Sequence, residues 1–252
     1  MPCALVYAAD LAVVIDDVGY SQARGVRAIE LPGPVTIAML PFAPHTKSLA
    51  RYAALVGKDL IVHQPMEPHA SAHAREEVGT LKLNMDALAF TQTVTNALNA
   101  VPGRIGVSNH TGSLLTSRRA PMQQFMSLLN EQGLFFLDSR TTAATVALDI
   151  ANEQGVPALK RDVFLDNDRS PSAVHLAFEH AIQIARKQGQ AVLIAHPYAV
   201  SLDYLEERLS RLPDDIRLVS AASLAKPRQT ATRPVVLARQ PNPSFVHISP
   251  GR

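Results

Sequence analysis

The stretch Leu11-Ala12-Val13-Val14-Ile15-Asp16-Asp17-Val18-Gly19 decides the fold of this chain. Five apolar residues run without alternation, as expected of a parallel strand buried on both faces, and two carboxylates follow side by side. Adjacent acids against an apolar strand are costly to place without a cation nearby. Asp16 and Asp17 therefore read as a functional pair at the end of the first strand rather than as a capped turn before Gly19.

The same rhythm continues outward from this stretch. Short runs rich in Val, Ile and Leu recur at Val35–Leu40, Leu60–Val62, Ile105–Val107, Leu134–Leu137, Ala158–Leu165, Ala191–Ala195 and Ile216–Val219. Helical patterns lie between them. Ser170-Pro171 supplies a cap and a first-turn proline to a helix with Val174, Phe178, Ala181, Ile182 and Ala185 on one face, and Gly189 ends it. Met122–Gln132 reads as a second helix stopped by Gly133, and Asn84 precedes a third that closes at Pro102-Gly103. His45 marks a further helix start. Such alternation predicts an α/β fold, a distorted parallel (β/α) barrel of seven or eight strands, with an open doubly wound sheet as the alternative.

Polar residues cluster at one end of these strands. The first strand ends in Asp16-Asp17, the third in His63, the fourth in Asn109-His110, the fifth in Asp138 and the seventh in His196. The sixth carries Asp162 and then Asp166-Asn167-Asp168. In a parallel barrel these ends share one face, where active sites are assembled. Glu67, Asn109, Ser113, Asp138, Arg140 and Asp162 are read as substrate-binding or supporting groups. His69 and His73 fall in a polar loop, His175 and His180 on a helix, and His247 near the C-terminus; these read as solvated or structural.

Composition narrows the function classes. A net charge of +2 hides an asymmetry, because Lys226, Arg228, Arg233, Arg239 and Arg252 lie in a C-terminal segment without acids. The body before it is mildly acidic, which argues against nucleic acid as a partner. That segment, 226–252, is interrupted by five prolines and reads as a flexible basic tail. No stretch approaches the roughly 20 apolar residues of a membrane span. Residues 1–10 read as the remnant of a secretory signal without its basic start, or as a plain N-terminal extension; the first suggests a periplasmic or secreted protein, with a cytoplasmic one as the alternative. The single Cys3 lies there, so residues 11–225, the expected barrel domain, hold no thiol chemistry. No dinucleotide or P-loop glycine pattern is present.

The clustered residue types suit metal-assisted hydrolysis. One carboxylate and two imidazoles match a borderline divalent ion such as zinc, with positions left for water and substrate. Such an ion lowers the pKa of bound water, an unligated carboxylate can take its proton, and a histidine opposite can protonate the leaving group.

Several segments together resemble the polysaccharide deacetylase superfamily, and its divergent branch in particular. They are Ile15-Asp16-Asp17-Val18-Gly19, His63-Gln64-Pro65-Met66-Glu67, Asn109-His110-Thr111-Gly112-Ser113, Phe136-Leu137-Asp138-Ser139-Arg140, Lys160-Arg161-Asp162-Val163-Phe164-Leu165-Asp166 and Ile194-Ala195-His196-Pro197. The resemblance spans about Leu11 to Leu224. It implies a distorted barrel and removal of N- or O-acetyl groups from a cell-envelope carbohydrate or an acetylated small molecule. Residue by residue, it implies Asp16 as general base, Asp17 and His110 as metal ligands, and His196 as general acid. Typical members place a second ligating histidine four residues after the first, and that position is Leu114 here; His63 is read as its substitute. The chain also contains no Trp, a residue of the usual substrate groove. The alternative is a non-catalytic envelope carbohydrate-binding protein that keeps the barrel.

Overall fold

The computed structural model describes residues 9–69 and 77–225. Most of the expected N-terminal remnant and the whole basic tail lie outside the described residues, as do Cys3, His73 and His247.

Nine parallel strands form one curled sheet: β1 (Ala9–Val18), β2 (Thr36–Met39), β3 (Leu60–Met66), β4 (Arg104–Thr111), β5 (Phe135–Asp138), β6 (Ala158–Lys160), β7 (Val163–Phe164), β8 (Gln190–Ala195) and β9 (Ile216–Val219). The path through it is β6-β5-β4-β3-β2-β1-β8-β7, and β9 pairs with the first residues of β1. This is the distorted parallel barrel that the sequence predicts, with one correction. The run Ala158–Leu165 is two strands, and they sit at opposite ends of the path. Only Arg161 and Asp162 separate them. The Arg161 N–H donates to Asp138 O of β5, and the Asp162 N–H donates to Val192 O of β8. Two consecutive residues thus hand the chain from one sheet edge to the other and draw the sheet round on itself.

Seven α-helices among the described residues cover the outside, and an eighth packs against the barrel interior. They are α1 (Gln22–Glu30), α2 (Thr46–Leu55), α3 (Ala87–Ala100), α4 (Arg119–Glu131), α5 (Ala147–Glu153), α6 (Pro171–Gln188), α7 (Ala199–Arg208) and the short α8 (Ala221–Ala225). The signals at α6 act as read: Ser170 caps Ala173 N, Pro171 opens the helix, and Gly189 closes it at φ 80°. At α3 the cap is Asp86, not Asn84, because its carboxylate accepts from Ala89 N at 2.8 Å. His45 does precede α2, but its ring forms no cap hydrogen bond.

Two apolar layers result from the pleat. Leu11, Val13 and Ile15 of β1 pack outward against the helices. Ala12 and Val14 point into the barrel with Ile61, Leu137, Val192 and Ile194, and α8 adds Ala221 and Ala225 to this inner cluster. The inward positions of β1, β3 and β8 continue to Asp16, His63 and His196. The interior is therefore apolar for most of its depth and becomes ionisable only at the C-terminal mouth.

Candidate active site

Successive residues of a strand ordinarily face opposite sides, so two adjacent carboxylates should not share one site. Here the backbone is bent to let them. Pairing between β1 and β2 shifts register between Ile15 and Val18, and Asp17 takes a left-handed φ of 58°. Asp16 Oδ2 and Asp17 Oδ1 consequently lie 3.6 and 3.2 Å from the same atom, His63 Nε2. The other non-glycine residues with positive φ among those described are Thr111 and Arg140, at the ends of β4 and β5. Such backbone strain collects at functional sites and persists where the surroundings over-determine it. Asn109 and Asp138 supply that determination. Asn109 donates to Thr111 O and accepts from Ser139 N, while Asp138 accepts from Arg140 N and from the Thr145 hydroxyl.

Asp17, His63 and His110 converge, with one donor atom from each within 4.8 Å of the others. His110 Nδ1 lies 2.9 Å from Asp17 Oδ1. His63 is fully buried, and its Nδ1 pairs with Ser108 Oγ at 2.7 Å, which turns Nε2 toward Asp17. A histidine anchored through one nitrogen presents the other in the manner of a ligating imidazole. Despite these short distances, buried Asp17 Oδ1 has no properly directed hydrogen bond, and neither does buried Asp16 Oδ1. Buried polar atoms are rarely left without partners. Three donor atoms within 4.8 Å of one another, gathered at a buried carboxylate oxygen, fit a cation. The third is His63; Leu114 instead donates its backbone N–H to Glu67 O.

Electrostatics separates the two acids. Burial pushes the Asp16 carboxyl up, against the opposing pull of His63 and His196. Burial would raise Asp17 as well, but the ring nitrogens of His110 and His63 outweigh it and hold the carboxyl far below the ordinary range. For His110, burial disfavours the charged ring while Asp17 more than compensates, so its pKa rises. The charge that holds a proton there can equally hold a metal cation.

Opposite this cluster stands His196, its Nε2 3.9 Å from Asp17 Oδ2. Asp166, rather than the expected Asp162 of the same segment, holds it. Asp166 Oδ1 lies 2.8 Å from His196 Nδ1, and Oδ2 accepts from His196 N and the Ser201 hydroxyl. Burial lowers the tendency of His196 to charge, yet the hydrogen bond and charge of Asp166, with Asp16 and Asp17 behind, carry it up to about 9. The ring also has two aromatic neighbours. Phe164 stacks on it at 5.8 Å and Tyr198 lies at 5.6 Å on a tilt. Arg161 lies 3.7 Å over the Phe164 ring and Arg169 3.6 Å over that of Tyr198.

Other expected site residues are placed away from the reacting groups. The Asp162 carboxylate accepts from Val192 N and secures the junction between β7 and β8. Glu67 accepts from Leu83 N, and Ser113 Oγ accepts from His69 N. Both tie loops of the mouth together. Arg140 stands at the end of β5 beside Asp138, and the Arg161 guanidinium donates to the carbonyls of Ser139 and Arg140. Register was the missing signal for Asp166: Phe164 pairs with Ile194, so position 166 falls beside 196.

Comparison with known proteins bears on the family and the fold. A family model described as divergent polysaccharide deacetylase matches residues 13–225. An uncharacterised protein of Haemophilus influenzae is 37% identical over 241 residues, covering 95% of this chain and 85% of that one. A crystal structure of an uncharacterised protein from Agrobacterium tumefaciens superposes with a TM-score of 0.81 at 22% identity, covering 88% of this chain and 92% of that one. A mutant of a peptidoglycan deacetylase from Bacillus subtilis shares the fold at a TM-score of 0.52 and 12% identity, covering 87% of this chain and 91% of that one. The chain belongs to the divergent polysaccharide deacetylase family.

Proposed function

We propose that the protein is a metal-dependent hydrolase that removes N- or O-linked acetyl groups from a carbohydrate of the bacterial cell envelope, in the periplasm or outside the cell. The observation that carries this reading is the convergence of Asp17, His63 and His110 around an orphaned carboxylate oxygen, with Asp16 and His196 flanking it. These three residues would hold the ion, and zinc suits one carboxylate with two imidazoles. When bound, such an ion supplies Lewis acidity toward an acyl oxygen and activates water.

The remaining steps belong to side chains. Asp16, buried and raised in pKa, accepts the proton of the attacking water. His196, charged below about 9, gives up its Nε2 proton to the departing sugar nitrogen or oxygen while Asp166 steadies Nδ1. Two groups of opposite protonation on either side of one point are what acyl hydrolysis at neutral pH requires.

A second reading, a carbohydrate-binding protein without catalysis, is favoured by Leu114 at the position of a typical ligand. One experiment separates the two. Metal content and acetate release from N-acetylglucosamine oligomers and peptidoglycan are measured for the parent, His63→Ala, His110→Ala and Asp16→Asn. The hydrolase reading expects near-stoichiometric zinc in the parent, lost in both histidine variants. It expects Asp16→Asn to retain metal while acetate release falls by about 10²–10⁴-fold, the usual weight of general acid–base catalysis. A parent that neither holds nor binds added zinc would end the hydrolase reading.

A further inference from the structure

Arg161 stands where the chain passes from β6 to β7, and its side chain turns back across that junction. Nε donates to Ser139 O at 2.8 Å and Nη2 to Arg140 O at 3.0 Å, both just past the end of β5. The guanidinium carbon meanwhile lies 3.7 Å over the ring of Phe164 in β7. The side chain is half-buried, and burial together with the neighbouring Arg140 charge lowers its pKa from the ordinary value. A charge kept in such a place costs stability, so its contacts point to function.

One of the two groups it joins needs holding, and the other can hold. Phe164 is half-buried, and β7 is two residues long and ends the sheet path, bound to β8 on one side with no further strand among the described residues on the other. Its ring stacks on that of His196 at 5.8 Å, with 29° between the planes. Asp166 holds His196 through Nδ1, but a hydrogen bond tolerates a spread of angles, so the ring can still tilt about that edge. A stacked neighbour resists the tilt, and its grip depends on how firmly it is itself held. The Ser139–Arg140 turn is rigid by comparison. Asn109 accepts from Ser139 N, Asp138 accepts from Arg140 N, and Arg140 keeps a left-handed φ of 49°.

We infer that Arg161 is a positioning residue for the general acid: it ties the Phe164 ring to the turn after β5, and Phe164 in turn fixes the tilt of His196, so that Nε2 points at the leaving atom. The role of His196 as acid rests on the hydrolase reading; the mechanical link does not. Arginine suits the task because its planar fork gives N–H groups to two carbonyls while its face lies on an aromatic ring, which a lysine ammonium cannot do together. A rival route runs through charge, since the field of Asp16 reaches Arg161. The two are separable, because only the first needs Phe164 and only the first acts on the leaving group.

The test compares Arg161→Gln, Arg161→Lys, Phe164→Leu and the double variant Arg161→Gln/Phe164→Leu with the parent, each as the full chain supplied with zinc. Acetate release is followed from N-acetylglucosamine oligomers, whose amine must be protonated to leave, and from 4-nitrophenyl acetate, whose nitrophenolate leaves without a proton. The rate of Asp16→Asn serves as the blank. On the oligomers kcat is expected to fall about ten- to hundredfold in each variant, part of what a general acid supplies, with KM and the nitrophenyl rate within about twofold of the parent. The double variant should lose no more than the larger single one, as for residues acting through one set of contacts. Equal losses on both substrates, an unaffected Phe164→Leu, or losses that multiply in the double variant overturn the inference. In the same proteins the Nδ1–H proton of His196 is followed by nuclear magnetic resonance, and its exchange with water should speed up about tenfold in each variant as local opening becomes easier. An unchanged exchange rate overturns the inference as well. A parent inactive on both substrates removes the hydrolase reading, and proton exchange then decides the link by itself.

Discussion

β5 runs from Phe135 at one end of the barrel to Asp138 at the other, and the two ends follow different rules. At the closed end Phe135 packs inside the barrel with Leu159 and with Ala221 and Ala225 of α8, and Gly106 leaves the room its ring needs: a Cβ there would lie 2.5 Å from it. Inside the barrel at that end these contacts serve burial. At the open end the same strands carry buried Asp16, His63, Asn109, Asp138 and Asp166, along with the three left-handed non-glycine residues. Among the described residues the left-handed non-glycine backbone lies at the open end, as do the two carboxylate oxygens left without a hydrogen bond, although Arg104 Nε at the start of β4 is also buried without one. Sites that break local rules of burial and backbone comfort in concert are where function is concentrated, because stability has to come from elsewhere in the fold.

Three substitutions set the two ends against each other. The largest effect belongs to the closed end: Phe135→Ala should lower stability by about 3–5 kcal/mol, since close packing around Gly106 leaves a cavity that small residues cannot fill. Denaturant unfolding measures it, and metal content per folded molecule should stay unchanged. A loss of metal in the folded fraction would mean that the ends are not separable. Next, Asp166→Asn should reduce acetate release by about 10²-fold, near 2.7 kcal/mol. The amide keeps the size but loses the charge that holds the imidazolium. Metal affinity should change little, because Asp166 serves His196 rather than the donor cluster; comparable losses in both would merge the two into one unit. The smallest effect is Ser170→Ala, which removes the cap of α6 and should cost about 1 kcal/mol in thermal or denaturant unfolding, with kcat unaffected.

Much of the site could be read from sequence because parallel strands bring their C-terminal ends together whatever their order. Asp16, Asp17, His63, His110 and His196 all stand at the mouth for that reason alone. Choosing among near neighbours was harder. Asp162 and Asp166 lie four residues apart in one polar segment, and nothing local says which faces His196. The answer is a register between β7 and β8, made by residues thirty positions apart. Ser108, which anchors His63, was hidden in the same way, since β3 and β4 set 63 opposite 108.

The amino-acid sequence by itself determined the alternation of strand and helix, the ends of α6, and the set of polar residues delivered to one face. Those follow from periodicity, capping and turn chemistry, which act over a few residues. Only the tertiary structure decided that Ala158–Leu165 splits to curl the sheet, that Ser108 anchors His63, and that Asp17 is turned to share a site with Asp16. Each depends on strand order, register or backbone strain, and those are settled by contacts distant in the chain.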